Sequence, residues 1–309
     1  MKNVMKFLNK AITKLRYSRA GLSIKKINTK YADPNNLEKA FTYIERFREI
    51  VSDPLNILIN RVPEAGYIDK NGYVILHNGN RVPICGDLSY YREFSDILII
   101  NRGVHEPLEE YCFQQMLTKI KNNHPNMIEL GSYWAHYSMW LKKFFPKANC
   151  YMVEPDSNNL KCGKNNFSIN GYNGHFINDF VGLSGFQLDT FTLKHDISSL
   201  DILHCDIQGY ELEMLMGGHI FLSKNKVNYV FVSTHSDAIH YEVVKQLQNL
   251  SYRVEISSNV DTHSTSCDGF VLATSLNIDP LFDGFTPLGR IDILKSSPKQ
   301  ILQSIVSNT

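Results

Sequence analysis

The sequence predicts an α/β protein built on a doubly wound, mostly parallel sheet. Short apolar runs alternate with helical stretches from about residue 105 onward, which is the pattern of βα units. Glycines or acidic residues stand directly after several of those runs, where open α/β sheets bind ligands. With 309 residues, 43% hydrophobic and 20% charged, the chain can fill one large core and carry a small appendage.

The elements follow in order. A helix over 108–122 leads into the buried run MIEL (127–130), a helix from Tyr137 to Phe145, and the strand CYMVEP (150–155). A helix covers 157–169, and HFIN (175–178) and LDTF (188–191) flank the next turns. DILHCDI (201–207) reads as a strand, and ELEMLMGG after it as a helix stopped by glycines. VNYVFVSTH (227–235) is a strongly apolar strand followed by the helix AIHYEVVKQLQNLS. SYRVEIS and GFVLATS (269–275) close the sheet as an antiparallel edge hairpin.

Residues 1–100 read as an α+β appendage of helices and a β-meander, suited to acceptor or subunit contacts, and residues 101–309 as the main domain. PNNLEKAFTYIERFREIVSDP places Leu37, Phe41, Ile44 and Val51 on one helix face. The turn pairs Asn71-Gly72 and Asn78-Gly79 mark a meander over 67–84.

The net charge of +1 argues against a nucleic-acid coat. Six cysteines with no close pair suit reduced thiols in a cytoplasmic protein. No run reaches the ~18 to 20 apolar residues of a membrane span, and the start lacks a secretory cleavage pattern. Residues 1–30 are basic and amphipathic. That suits peripheral contact with an anionic membrane or, the reading we favour, a solvated or homodimer-docking helix.

Four strand ends carry candidate chemistry. In IELGSYWAHYS (128–138), Gly131 permits a tight turn, Ser132 and Ala135 are small, and the next helix offers its N-terminal amides to a carboxylate. Tyr133 and Ser138 belong to the same cradle, and Glu129 is placed to hold an ammonium group. Glu154, followed by Pro155, stands where an acid accepts both hydroxyls of a ribose. Asp179 and Phe180 suit an adenine amino group and ring. Asp206, in HCDIQGYELEML, is a carboxylate at a buried strand end, which is costly without a function.

These segments together resemble the FkbM family of S-adenosylmethionine-dependent methyltransferases. The family's wording is an acid, glycine, a small residue, Asn and Gly at the first turn, then Glu-Pro, Leu-Asp and Asp-x-Glu/Gln-Gly-x-Glu. The likeness spans about residues 105 to 275. It implies the class I methyltransferase Rossmann-like sheet, S-adenosyl-L-methionine as cofactor, and O-methylation of a small acceptor, often a sugar. Glu129, Gly131, Glu154 and Asp206 take the family's positions, while Tyr133 replaces its Asn and Ala135 its last glycine.

Methylating a hydroxyl requires removal of its proton. Asp206 and His235 are the expected catalytic residues, with His235, which follows the fifth strand, as the candidate base, since an imidazole takes a proton near neutral pH. His105, Glu106, Gln208 and His263 are expected at the acceptor. No metal is expected, because no Asp-Asp pair follows the fifth strand. Two rivals stand beside this reading: a catalytically silent Rossmann-like binding or scaffold protein, and an NAD-dependent oxidoreductase, although the first turn lacks the second glycine of Gly-x-Gly-x-x-Gly.

Overall fold

The computed structural model describes residues 37–90 and 95–307. The basic stretch 1–30 lies outside the described residues, as do the side chains of Phe41 and Ile44.

The chain opens with α1 (Leu37–Ser52), which stops at Asp53-Pro54. Proline cannot continue the helical hydrogen bonding, and the Asp53 carboxylate instead accepts the Leu55 amide (2.8 Å) to start a 3-10 turn. The meander is one short hairpin, β1 (Tyr73–Ile75) and β2 (Arg81–Pro83), with an added bridge from Ile68 to Val74. Two helices follow, α2 (Asp96–Ile100) and α3 (Pro107–Lys119).

The main sheet then builds by alternation: β3 (Asn126–Leu130), α4 (His136–Phe144), β4 (Asn149–Val153), α5 (Ser157–Asn170), β5 (His175–Ile177), α6 (Leu188–Lys194) and β6 (Leu200–Cys205). Gly218 divides the helical stretch after β6 into α7 (Glu211–Gly217) and α8 (His219–Ser223). The remainder is β7 (Val227–Thr234), α9 (Asp237–Asn249), β8 (Tyr252–Ser258), β9 (Gly269–Ser275), α10 (Arg290–Lys295) and α11 (Pro298–Ser307).

The seven strands lie in the order β5-β4-β3-β6-β7-β9-β8. All are parallel except β9, which runs antiparallel to both of its neighbours. This is the class I methyltransferase sheet. The reversed strand sits one place in from the edge, because the chain passes to edge strand β8 before turning back between β7 and β8. The strand order switches direction between β3 and β6, so the tips of these strands border the crevice where such sheets take ligands.

Strand alternation divides the core into two layers. Ile128, Leu130, Leu203, Val230 and Val232 face one layer, which α6 to α9 cover. Met127, Ile202, Phe231 and Leu272 face the other, together with Leu76, Val82 and Ile97 from the N-terminal segment and Phe113 from α3. The appendage therefore lies on one face of the sheet and shares its core.

Candidate active site

The first turn is shaped by packing as much as by any ligand. Gly131 has φ +72°, and a Cβ there would sit 1.6 Å from the Asp206 carbonyl oxygen. Only glycine lets the loops after β3 and β6 approach this closely. The Gly131 and Ser132 amides both donate to the Val153 carbonyl (2.9 and 3.0 Å), pinning the turn to the end of β4.

Tyr133 and Ala135 also have left-handed backbones (φ +37° and +59°). These are the positions where the family's wording has Asn and Gly, the residues that tolerate that conformation. The substitutions keep the turn at the cost of strain. The Tyr133 hydroxyl donates to the Ser89 carbonyl (3.2 Å), and buried Trp134 stacks on His136 (ring centroids 4.8 Å apart). Both aromatic rings pack toward the appendage core.

Glu129 is buried on β3 and accepts the Ser138 amide (3.1 Å), so it caps the start of α4. Burial raises its pKa, against the nearby His204. Ser138 is fully buried, whereas the Ser132 hydroxyl at the turn is buried without a hydrogen-bond partner. Glu154 accepts the Tyr133 and Asp156 amides (3.0 Å each) and more distantly the Asn159 side chain (3.4 Å). A carboxylate has about four acceptor sites, so one remains, and release of Asn159 would free a second. Pro155 is exposed beside it, and its carbonyl accepts from Asn178 (2.8 Å). Asp179 is exposed and caps the Phe180 amide (2.8 Å), while the Phe180 ring stands edge-on to Tyr210 (4.5 Å) and remains 37% exposed.

The densest polar cluster lies at the tips of β6, β7 and β9. His235 Nδ1 lies 2.6 Å from Glu211 Oε1, and its Nε2 lies 3.1 Å from Asp206 and 3.4 Å from Asp268. The Gln208 amide is 2.8 Å from the same Nε2. Glu211 also accepts the Gly209 amide (3.1 Å), so it caps α7 and anchors the imidazole together. Burial opposes charge on His235, but the bonds to Asp206 and Glu211, with Asp268 nearby, push its pKa up to about 10. Burial and then the Asp206 charge push Asp268 up to about 7, with His235 pulling the other way.

A narrow cleft adjoins this cluster and is lined by Asp53, Glu106, Glu109, His263, Thr265 and Asp268, among others. Glu106 is held by the Tyr137 hydroxyl (2.9 Å), and its pKa is raised well above the ordinary range by burial and then by Glu109, Asp206 and Asp268. His263 pairs with the Ser258 hydroxyl (2.9 Å) on the cleft wall. His105 instead turns inward, with Nδ1 2.5 Å from buried Glu110. Glu109 joins the floor through His204 (2.5 Å) and Ser233 (3.0 Å).

Asp268, Glu109 and His204 were not singled out in the sequence. A signal for Asp268 does exist there. Pairing 269–275 antiparallel with 227–234 sets Gly269 against Thr234, which brings the residue before one strand beside the residue after the other.

Residues 182–254 match the family model described as the Methyltransferase FkbM domain. That stretch holds Asp206, Glu211 and His235. Over that stretch the chain is similar to the FkbM methyltransferase domain. The resemblance drawn from the sequence is thereby borne out, with Glu129, Gly131 and Glu154 lying ahead of the matched stretch. No curated protein matches the chain. Similar solved structures include the methyltransferase FkbM from Methylobacillus flagellatus, 15% identical over 54% of this chain and 50% of that one, TM-score 0.39. A precorrin-6y methyltransferase from Geobacter metallireducens is 14% identical over 53% and 87%, TM-score 0.39. TrmK of M. capricolum, solved with S-adenosyl-homocysteine, is 14% identical over 56% and 71%, TM-score 0.38.

Proposed function

We propose that the FkbM-type chain transfers a methyl group from S-adenosyl-L-methionine to a hydroxyl oxygen of a small carbohydrate-like acceptor. The observation that carries this reading is Asp268: a carboxylate titrating near neutrality, on the wall of a polar cleft, beside Asp206 and His235 at the strand tips.

The residues at the first turn fit the cofactor. The Ser132 hydroxyl is buried and unpartnered, Glu154 keeps acceptor capacity for a ribose, and Phe180 presents a partly exposed ring for adenine. When bound, the cofactor supplies an electrophilic methyl on a sulfonium. The chain's own residues do the rest. Asp268 accepts the acceptor's hydroxyl proton, and its pKa near 7 suits a general base at neutral pH. His235 stays protonated to about pH 10, so it serves there as the counter-charge beside Asp206 and Glu211. The acidic rim favours a cationic donor. The hydroxyls and carboxylates of Asp53, Glu106, Ser264 and Thr265 along the cleft suit a ligand with several hydroxyl groups.

The test is mass spectrometry of the full chain with methyl-labelled cofactor and a panel of sugars and nucleotide sugars. A product heavier by one labelled methyl is expected. Absence of both product and cofactor binding heat would replace this reading with the silent binding protein, and NADH turnover would replace it with the oxidoreductase.

A further inference from the structure

Away from the cleft, three histidines surround one carboxylate beneath the appendage. Glu110 of α3 is 0% exposed, His77 from the loop after β1 and His136 at the start of α4 are each 1%, and His105 is 3%. Glu110 Oε1 is well held: it accepts the His105 amide (2.9 Å) and the Glu106 amide (3.3 Å), and His105 Nδ1 lies 2.5 Å away. Its Oε2 makes no hydrogen bond and faces His77 Nε2 at 3.1 Å. Both ring nitrogens of His77 and both of His136 also lack a hydrogen-bond partner.

Buried polar atoms are nearly always paired, because water has been taken from them and must be replaced. Glu110 pairs closely with His77, 3.1 Å away, while His136 stands at 3.7 Å, beyond hydrogen-bond reach. One ligand atom each from His77, Glu110 and His136 lies within 4.8 Å of the others. A tetrahedral ion with bonds of about 2.0–2.1 Å sets its ligands roughly 3.3 Å apart. The observed 3.1 Å between His77 Nε2 and Glu110 Oε2 is close to that spacing, and His136 Nε2 stands 3.7 Å from the carboxylate's other oxygen, Oε1. Asp206, His235 and Asp268 are spaced similarly, but both nitrogens of His235 are already engaged.

We propose that His77, Glu110 and His136 bind a divalent transition-metal ion of the zinc type, with His105 orienting the Glu110 carboxylate from outside. Two imidazoles and a carboxylate are a standard zinc-ligand set, and an outer partner that fixes a ligand's orientation is its usual companion. The ion ties together the β1–β2 hairpin, α3 and the start of α4, and α4 begins directly after the strained turn at Gly131 to Ala135. The site therefore fastens the appendage to the cofactor turn. The proposal stands on these residues alone and does not depend on which acceptor is methylated.

The experiment uses the full chain, stripped with a chelator and then dialysed against zinc(II) or cobalt(II). We expect one metal equivalent to survive gel filtration, with cobalt(II) showing the visible ligand-field bands of an ion in four- or five-fold coordination. His77→Gln and His136→Gln each lose the bound metal or weaken cobalt binding by about tenfold or more, and Asp206→Asn retains it. Should either histidine variant fail to fold, the wild-type stoichiometry and cobalt spectrum still decide the question. No retained metal and a featureless spectrum would overturn the proposal. Metal lost from Asp206→Asn but kept by both histidine variants would also overturn it.

Discussion

Replacing Asp268 by asparagine keeps the side-chain shape and removes the oxygen that titrates. Its carboxyl is moved from 3.8 to about 7 by burial and the Asp206 charge, with Glu109 and Glu211 adding to the rise and His235 opposing it. Because the folded pKa is raised above the unfolded one, the unfolded chain ionises first as pH climbs. Stability is lost between about pH 4 and 7, at roughly 1.4 kcal/mol per pH unit, or on the order of 4 kcal/mol in all. Asp268→Asn escapes that loss, so it should melt higher than the wild type at pH 8. Its kcat should nonetheless fall by about 10²- to 10⁴-fold, the usual worth of a general base. The wild-type kcat/KM should rise with pH to a plateau reached just above 7 and decline near 10 as His235 loses its proton. The asparagine variant should lose the acidic limb. Asp206→Asn, relieving a like charge, should move that limb to lower pH. The assays are pH–rate profiles with the labelled cofactor and thermal melts at pH 5 and pH 8. An acidic limb that stays near 7 in Asp268→Asn, or undiminished turnover, would refute the assignment of the base.

Other perturbations test the cofactor side. Gly131→Ala places a methyl 1.6 Å from the Asp206 carbonyl at φ +72°, and the left-handed penalty plus displaced backbone should cost about 2–5 kcal/mol; an unchanged melting temperature would refute the packing role. Glu154→Ala should weaken S-adenosylmethionine binding about 10- to 100-fold by calorimetry, the worth of hydrogen bonds to a charged group; a Kd within about twofold of wild type would remove Glu154 from the ribose site. Phe180→Ala should weaken it by about 1–3 kcal/mol if adenine stacks there, and S-adenosyl-homocysteine titration reads the loss directly.

Much of the fold was legible in the sequence. The apolar runs 127–130, 150–155, 201–207 and 227–235 all became parallel strands, because a strand buried on both faces must be apolar along its length. The turn residues at their ends were legible too, since Gly131 and the Asp206 motif obey local backbone rules. What each carboxylate touches was not. Glu129 and Glu154 sit where the motif places them, yet both already accept backbone amides, Glu129 that of Ser138 and Glu154 those of Tyr133 and Asp156. The departure at Tyr133 and Ala135 became intelligible only from their left-handed backbones and from the aromatic core into which the rings turn.

Periodicity and turn chemistry are properties of neighbouring residues, so the sequence by itself determined the βα succession, the strand tips as the place for ligands, and Asp206 and His235 as residues of interest. The partnership of Asp268 with His235 across β7 and β9, the joining of Asp53 to Thr265, and the burial of His77, His105 and His136 around Glu110 were decided only by the tertiary structure. Apart from His105 with Glu110, those contacts link residues tens to hundreds of positions apart. Their pKa values, orphaned atoms and cleft arise from desolvation and proximity, which exist only once the sheet has formed and the appendage has closed over its face.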